Sequence, residues 1–153
     1  MNRLNRDPRT VALASVLCML AVAVPVSLAA SSLTVANDTL AVRCTETLKS
    51  EDVSNGGVAG NGLCTLSGAI VDRGAATDYR RVTGTTARIR RVVVGRRGTI
   101  TFLIAIDLST GSEPWSVLTG TKTYRGLRGK GSQVVDRYDA TPAVFVMKGT
   151  VSR

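Results

Sequence analysis

The chain of 153 residues contains no histidine, and this absence removes several classes of catalytic site. Ser-His-Asp triads, Cys-His dyads, histidine acid–base catalysis and the usual zinc sites all require that residue. Phosphate-binding loops are missing too, because the Gly129-Lys130 pair is followed by glycine rather than by serine or threonine. No cofactor or metal ion is therefore expected. The carboxylates left for acid–base work are Asp72, Asp78, Asp107, Glu113, Asp136 and Asp139.

Aromatic and acidic residues are also scarce. Aromatic residues make up 4% of the chain, which leaves little surface for stacking on bases and argues against nucleic acid as a partner. Asp and Glu number 11 against 20 Lys and Arg, a formal net charge of +9. Residues 80–97 hold seven arginines and no acid, so they should produce a local positive field.

Alternation along this basic segment places some of its arginines outside the fold. The residues predicted to form an anion-binding stripe are Arg88, Arg90, Arg96 and Arg97. An anionic envelope polymer or lipid surface is the partner that such a stripe would fit; the alternative is plain solubility and edge protection. Arg91 shares the parity of Ile89, which is expected inside, and the pattern does not explain it.

The first residues predict export. Three arginines precede an uninterrupted apolar run at 11–24, and 27–29 is a small-x-small cleavage signal. We therefore predict a secreted protein with a signal peptide at 1–29, or cleavage after 36 as the alternative, then a flexible segment at 30–40 and one domain at 41–153. An uncleaved anchor is the competing interpretation, but the run is shorter than the roughly 20 residues of a spanning helix.

Of the three cysteines, one lies in the predicted signal peptide, which leaves Cys44 and Cys64. An even pair in an oxidising compartment predicts a disulfide, worth roughly 3 kcal/mol in the chain-entropy model. Two unpaired buried thiols are the alternative.

No segment repeats at the helical period, whereas 98–108 alternates with a period of two. Ile100, Phe102, Ile104, Ile106 and Leu108 share one parity, which predicts a strand with one buried face. Other candidate strands are 41–49, 63–71, 79–86, 87–94, 115–123, 130–138 and 143–151. Turn-forming groups, including 55–57, 61–62 and 72–74, separate them. Eight short, evenly spaced strands predict an all-β fold, an eight-stranded antiparallel meander closed into a barrel.

Glu46 stands out on the first predicted strand, because it shares the parity of Val42, Cys44 and Leu48. If that face is the barrel interior, Glu46 is a buried carboxyl group that needs a partner and can orient a ligand in the lumen. A register slip or a position at the barrel mouth would instead put it in water.

The segment 115–131 resembles the signature of the allene oxide cyclase and dirigent barrels and their secreted bacterial relatives. In that family a strand ends in a Gly-Thr-Gly-x-Tyr/Phe-x-Gly-x-x-Gly-x-Gly turn, and Lys122 replaces the middle glycine here. The matching positions are Gly120, Thr121, Tyr124, Gly126, Gly129 and Gly131. The glycines are expected to have a structural role, where backbones approach closely. The resemblance implies a calycin-like barrel over residues 40–151, but no catalytic residue of the family can be matched.

Three functions remain open. The first is a secreted barrel that binds a small, mostly apolar ligand in its lumen or mouth, since eight strands leave room for one small molecule at most. The alternatives are a lumen enzyme of cyclase or dirigent type, and an envelope or surface binding module that acts through its basic exterior. The absence of assignable catalytic residues favours a binding protein over an enzyme.

Overall fold

The computed structural model describes residues 38–49, 55–137 and 140–153, and the predicted signal peptide lies outside them. The described chain is an all-β, closed antiparallel barrel of eight strands, as predicted: each strand pairs with the next, and the last pairs with the first. The strands are β1 (Asp38–Leu48), β2 (Asn55–Gly68), β3 (Asp72–Thr83), β4 (Thr86–Gly95), β5 (Gly98–Asp107), β6 (Pro114–Gly120), β7 (Arg128–Arg137) and β8 (Ala143–Ser152). Among the described residues no helix has the length and apolar character to cross a membrane.

The barrel has two rims, which we name by strand direction. The odd-numbered strands end at the upper rim, and the even-numbered strands end at the lower rim. β1 begins at Asp38, three residues before the predicted start of the barrel domain. Since side chains alternate across a strand, each strand contributes every second residue to the barrel interior.

The strand bounds differ most from the sequence prediction at β2 and β3. Residues 55–57, 61–62 and 72–74 were expected in turns, yet they lie within these strands. Two of their glycines serve close strand approach instead: a Cβ at Gly62 would overlap the β1 backbone, and one at Gly74 would overlap the β4 backbone. Turn composition is therefore misleading where a narrow barrel brings backbones together.

β5 supplies much of the core. Ile100, Phe102 and Ile104 are completely buried, and Phe102 makes an edge-to-face contact with Trp115 at 5.6 Å between ring centroids. Ile106 is only partly buried because it lies near the upper rim. Leu108 does not continue this face: it follows the end of β5 and is 55% exposed.

The predicted disulfide is confirmed. Cys44 and Cys64 stand directly opposite each other on β1 and β2, with their Cα atoms 4.0 Å apart, and their sulfur atoms are bonded. Both residues are buried, so the bond ties the first two strands together inside the barrel.

The glycine-rich segment closes the lower rim between β6 and β7. A Cβ at Gly120 would overlap the carbonyl group of Tyr124, and one at Gly131 would overlap the β8 backbone. These contacts are consistent with the expected structural role. Lys122, which replaces a glycine of the family pattern, has a φ of 49° and lies in the left-handed region that favours glycine.

Tyr124 seals this rim from inside. Its ring is buried, and its hydroxyl donates a 2.6 Å hydrogen bond to Asp72 at the start of β3. Burial and the bond to Asp72 raise the pKa of Tyr124 above its usual range, so the hydroxyl remains a donor. The lower rim is therefore closed by packed side chains.

The core position of Phe102 leads to a first prediction. Phe102→Ala should lower the free energy of unfolding by about 3–5 kcal/mol, since the neighbouring strands cannot collapse into the space left by the ring. Leu103→Ala is the matched control, because Leu103 points outward on the same strand and is only half-buried. Chemical denaturation followed by Trp115 fluorescence measures both; a loss below about 1 kcal/mol for Phe102→Ala would contradict the assignment.

Candidate functional site

Three charged side chains meet inside the upper half of the barrel. Arg91 of β4, Glu46 of β1 and Asp78 of β3 are 0%, 0% and 3% exposed. Arg91 lies two residues after the inward-facing Ile89, and Glu46 lies two residues after the inward-facing Cys44. Since side chains alternate between the two faces of a strand, both therefore point into the lumen. Charges so deeply buried must find their partners within the protein.

Arg91 and Asp78 form the central pair. They are direct neighbours across β3 and β4, and Arg91 donates from Nε to Asp78 Oδ1 at 2.9 Å and from Nη2 to Oδ2 at 2.7 Å. Such bidentate, charge-assisted bonds are among the strongest in proteins. Burial by itself would lower the pKa of Arg91, but the charge and hydrogen bonds of Asp78 raise it overall. Arg91 therefore stays charged, and the Phe145 ring lies beneath its guanidinium at 5.0 Å.

A chain of hydrogen bonds continues from this pair across the barrel. Arg91 Nη1 donates to Gln133 Oε1 at 2.9 Å, and Gln133 Nε2 donates to Glu113 Oε2 at 2.8 Å. Gln133 lies on the inward face of β7, and Glu113 directly precedes β6. The chain thus links two carboxylates on opposite walls through one guanidinium and one amide.

Glu46 is the member of the cluster with unsatisfied oxygens. Its Oε1 lies 3.0 Å from Arg91 Nε, but that N–H points to Asp78, and neither Glu46 oxygen accepts a hydrogen bond from any described residue. Burial raises the pKa of Glu46 from its ordinary 4.5 to about 8, an effect that Arg91 opposes and the Asp78 carboxylate reinforces. At neutral pH Glu46 is therefore protonated, and its O–H can donate a hydrogen bond to Asp78.

Above the cluster lies a cavity of about 320 Å³ that opens toward the upper rim. Its apolar walls come from the inward faces of β4, β5, β7 and β8. The apolar residues are Ala87, Ile89, Ile106, Val135 and Phe145, with Leu48, Ala59 and Leu108 at the rim. Both ends of the hydrogen-bond chain, Asp78 and Glu113, line the same cavity, whereas Glu46 lies behind it.

Arg80 adds a hydrogen-bond donor to this cavity. It occupies the inward parity of β3, two residues after Asp78, and lines the cavity wall. Its Nε is buried and has no hydrogen-bond partner among the described residues. The cavity therefore offers an apolar interior, the acceptors of Asp78 and Glu113, and donors from Arg80 and from Lys49 at the rim, which suits a small, mostly apolar molecule with a polar end.

The sequence analysis predicted only some of the residues of this site. Glu46 lies in the interior rather than in water, and Arg91, which the pattern did not explain, is its charged neighbour. Asp78 and Glu113 stood among the candidate carboxylates without a role, and Gln133 was missed. The predicted third strand began at residue 79, so the parity that points Asp78 inward was not visible. A strand extended to 72 would have revealed it.

The predicted anion-binding stripe occupies two separate places. Arg88 and Arg90 point outward near the upper rim, where Arg88 faces Arg81 and Arg90 stacks 4.7 Å from the Tyr79 ring centroid. Arg96 and Arg97 are exposed in the β4–β5 turn at the lower rim. Between the two groups the outward positions of β4 are valines.

One group of potential metal ligands also lies in the interior. Ligand atoms of Cys44, Glu46 and Cys64 fall within 4.8 Å of one another. The disulfide withholds both thiolates from a metal ion, however, and leaves a single carboxyl group. These three residues are therefore part of the core rather than a metal site.

The raised pKa of Glu46 predicts how stability depends on pH. Between about pH 4.5 and 8 the folded chain holds a proton on Glu46 that the unfolded chain releases, so the free energy of unfolding should fall as pH rises, by at most about 1.4 kcal/mol per pH unit. No histidine titrates in this window, and the lowered pKa values of Asp72 and Asp107 act only at more acid pH.

Glu46→Gln should flatten this profile, and denaturation at several pH values between about 5 and 8 measures it. Glu113→Gln is the control, since it removes a carboxyl group from the same network and should keep the slope. An unchanged slope in Glu46→Gln would show that another group causes it.

The Arg91 pair gives a third stability prediction. Arg91→Met should cost about 3–5 kcal/mol because it leaves Asp78 buried without its counter-charge. Replacing both partners, in Arg91→Met with Asp78→Leu, should recover much of that loss. Arg88→Met, an outward change on the same strand, should stay within about 0.5 kcal/mol of the wild type. A loss for Arg91→Met as small as that of Arg88→Met would contradict the central role of the pair.

Comparisons of the chain with protein-family models, with curated proteins and with solved structures found no match. The resemblance to allene oxide cyclase and dirigent barrels therefore remains a prediction that rests on the glycine-turn residues. What the site does has to be inferred from its own geometry.

Proposed function

We propose that the protein is a secreted binding barrel that holds one small, mostly apolar molecule in the cavity at its upper rim. The observation that carries this proposal is the hydrogen-bonded chain from Asp78 to Glu113, which borders an apolar cavity of about 320 Å³. That volume is at the lower end of the range for ligand sites, so it fits a single small molecule. The buried disulfide is consistent with the secreted setting.

The polar groups define what the ligand should carry. A carbonyl, carboxylate or ether oxygen can accept a hydrogen bond from the guanidinium group of Arg80 or the ammonium group of Lys49, and a hydroxyl group can donate to Asp78 or Glu113. Arg91 locks the orientation of Asp78, so this acceptor is held in place before the ligand arrives. Pre-organisation of this kind reduces the cost of binding.

A lumen enzyme of cyclase or dirigent type is the second candidate, and one observation favours it: two carboxyl groups, Asp78 and Glu113, line the same cavity. Binding is preferred because both oxygens of Asp78 are engaged by Arg91, and because Glu46, the carboxyl group protonated at neutral pH, does not line the cavity. An acid–base catalyst needs a group within reach of its substrate.

Cavity filling tests the proposal. The neutral apolar probe N-phenyl-1-naphthylamine should bind the exported chain saturably, with one probe per barrel, and gain fluorescence. Ala87→Phe should weaken this binding by at least about tenfold, because Ala87 is buried and lines the cavity.

Ala105→Phe is the matched control, since Ala105 points outward on the neighbouring strand, opposite Arg88, and should leave binding unchanged. Trp115 fluorescence checks that both variants fold. Equal effects of the two substitutions, or no saturable binding, would contradict the cavity as the ligand site.

Glu113→Gln separates the two candidate functions. The amide oxygen of the variant can still accept the hydrogen bond from Gln133, so ligand binding should change less than about threefold. Solvent extraction and mass spectrometry of the purified protein supply the natural ligand for this comparison. If that compound is converted by the wild type and not by the variant, the protein is an enzyme and the binding proposal is wrong.

A further inference from the structure

The outer wall of the barrel near the lower rim carries an exposed aliphatic row. Leu63 of β2, Ala75 of β3 and Val94 of β4 are direct cross-strand neighbours on the outward face. Val94 is 55% exposed and Leu63 is 37% exposed, while Val71, in the adjoining β2–β3 turn, is 64% exposed. Outward positions of a sheet that faces water are usually polar, so a contiguous aliphatic surface here needs an explanation.

Arginines surround this aliphatic surface on its lower side. Arg73, Arg96 and Arg97 line the same open groove of about 800 Å³ as Leu63, Val71 and Val94. None of the three arginines forms an ion pair with a described residue. We call these six residues the lower groove.

Asp72 is the acidic residue that lines the lower groove, and its carboxylate is already engaged. It accepts hydrogen bonds from the Tyr124 hydroxyl and from the backbone N–H groups of Arg73 and Arg97, at 2.6, 2.8 and 3.0 Å. With three arginines against one carboxylate, the groove keeps a net positive charge. An anion is therefore its complementary partner.

The combination of side chains selects among anionic partners. Guanidinium groups bind phosphate through paired hydrogen bonds, and exposed aliphatic side chains gain free energy when they enter the boundary of the acyl chains. The lower groove has no aromatic side chain on which a sugar ring or a base would stack. This chemistry matches a phospholipid surface better than a polysaccharide or a nucleic acid.

We propose that the lower groove docks the barrel onto a membrane surface that contains anionic phospholipid. The phosphate groups contact Arg73, Arg96 and Arg97, and the aliphatic residues of the groove insert at the level of the headgroups. The ligand cavity opens at the opposite rim, so a docked barrel keeps its cavity accessible. This docking does not depend on the proposed function of the cavity.

Vesicle cosedimentation of the exported chain tests the proposal. Vesicles of phosphatidylcholine containing about a third phosphatidylglycerol should bind the protein, and vesicles of phosphatidylcholine alone should bind it at least about tenfold more weakly. Binding should weaken as salt rises from about 50 to 200 mM, because screening shortens the reach of the arginine charges. All variants share the same N-terminal segment, so any contribution from that segment cancels between them.

Two double variants of the lower groove, each with a control variant elsewhere on the barrel, distinguish the groove from the rest of the surface. Arg96→Gln with Arg97→Gln should reduce binding by about tenfold or more, whereas Arg88→Gln with Arg90→Gln, the same charge change near the upper rim, should reduce it by less than about threefold. Val71→Ser with Val94→Ser should also reduce binding by about tenfold. Val134→Ser is its control, because Val134 is also 64% exposed but lies on β7, outside the groove.

Each other outcome overturns the proposal. Equal losses for the two arginine pairs would mean that diffuse charge attracts the protein. Unchanged binding after loss of the valines would mean that charge alone holds the protein at the vesicle surface and that the aliphatic residues do not insert. A further contrary outcome is a wild type that forms a dimer and binds no vesicles, with the Val71→Ser, Val94→Ser double variant monomeric. That result would identify the groove as a contact between two copies of the chain. Absence of binding to either vesicle would exclude docking.

Discussion

The bidentate pair between Arg91 and Asp78 is the interaction around which the interior of this barrel is arranged. A guanidinium group without solvent contact is costly to bury unless charges and hydrogen bonds replace its water, and four hydrogen bonds from Arg91 meet that demand. Asp78 supplies the counter-charge and Gln133 a neutral acceptor. Burial raises the pKa of Glu46 and the nearby Asp78 carboxylate adds to this effect, so the carboxyl group of Glu46 is most stable in its protonated form.

The pair also divides the interior into two parts with different roles. Toward the lower rim the lumen is packed with buried side chains, among them Leu40, Ile100 and Tyr124. Toward the upper rim the inward residues of β4 and β5 are smaller or only partly buried, and the cavity begins there. A barrel of eight strands encloses little free volume. Where that volume lies along the barrel axis decides which end can bind a small molecule.

The outer surface follows the same division by height. Neither Arg88 and Arg90 at the upper rim nor Arg73, Arg96 and Arg97 at the lower rim form ion pairs with residues that the structure describes. Arg90 stacks on Tyr79, whereas the lower three arginines border exposed aliphatic side chains. Charges of one sign that lie close together are unfavourable in both groups unless an anion approaches, and the aliphatic neighbours distinguish the lower group from the upper one. Their grouping follows from the path of β3 and β4 rather than from their order in the chain.

The sequence alone determined the fold class, because an alternation as regular as that of β5 has one interpretation and eight such strands can close on themselves. It also determined the disulfide, since the exported domain was predicted to keep two cysteines. It indicated Glu46 by parity. It could not set the bounds of β2 and β3, because glycines that permit close strand approach look like turns when their neighbours are unknown.

Only the tertiary structure decided what the charged residues do. Arg91, Asp78 and Gln133 lie far apart in sequence, and their contact depends on the register between β3 and β4 and on the closure of the barrel, which brings β7 opposite them. The length of β4 separates Arg88 and Arg90 from Arg96 and Arg97, and the register between β3 and β4 brings Arg73 close to the latter pair. Parity tells which face a side chain occupies, but register and closure, which arise from the packing of the whole chain, decide which side chains meet.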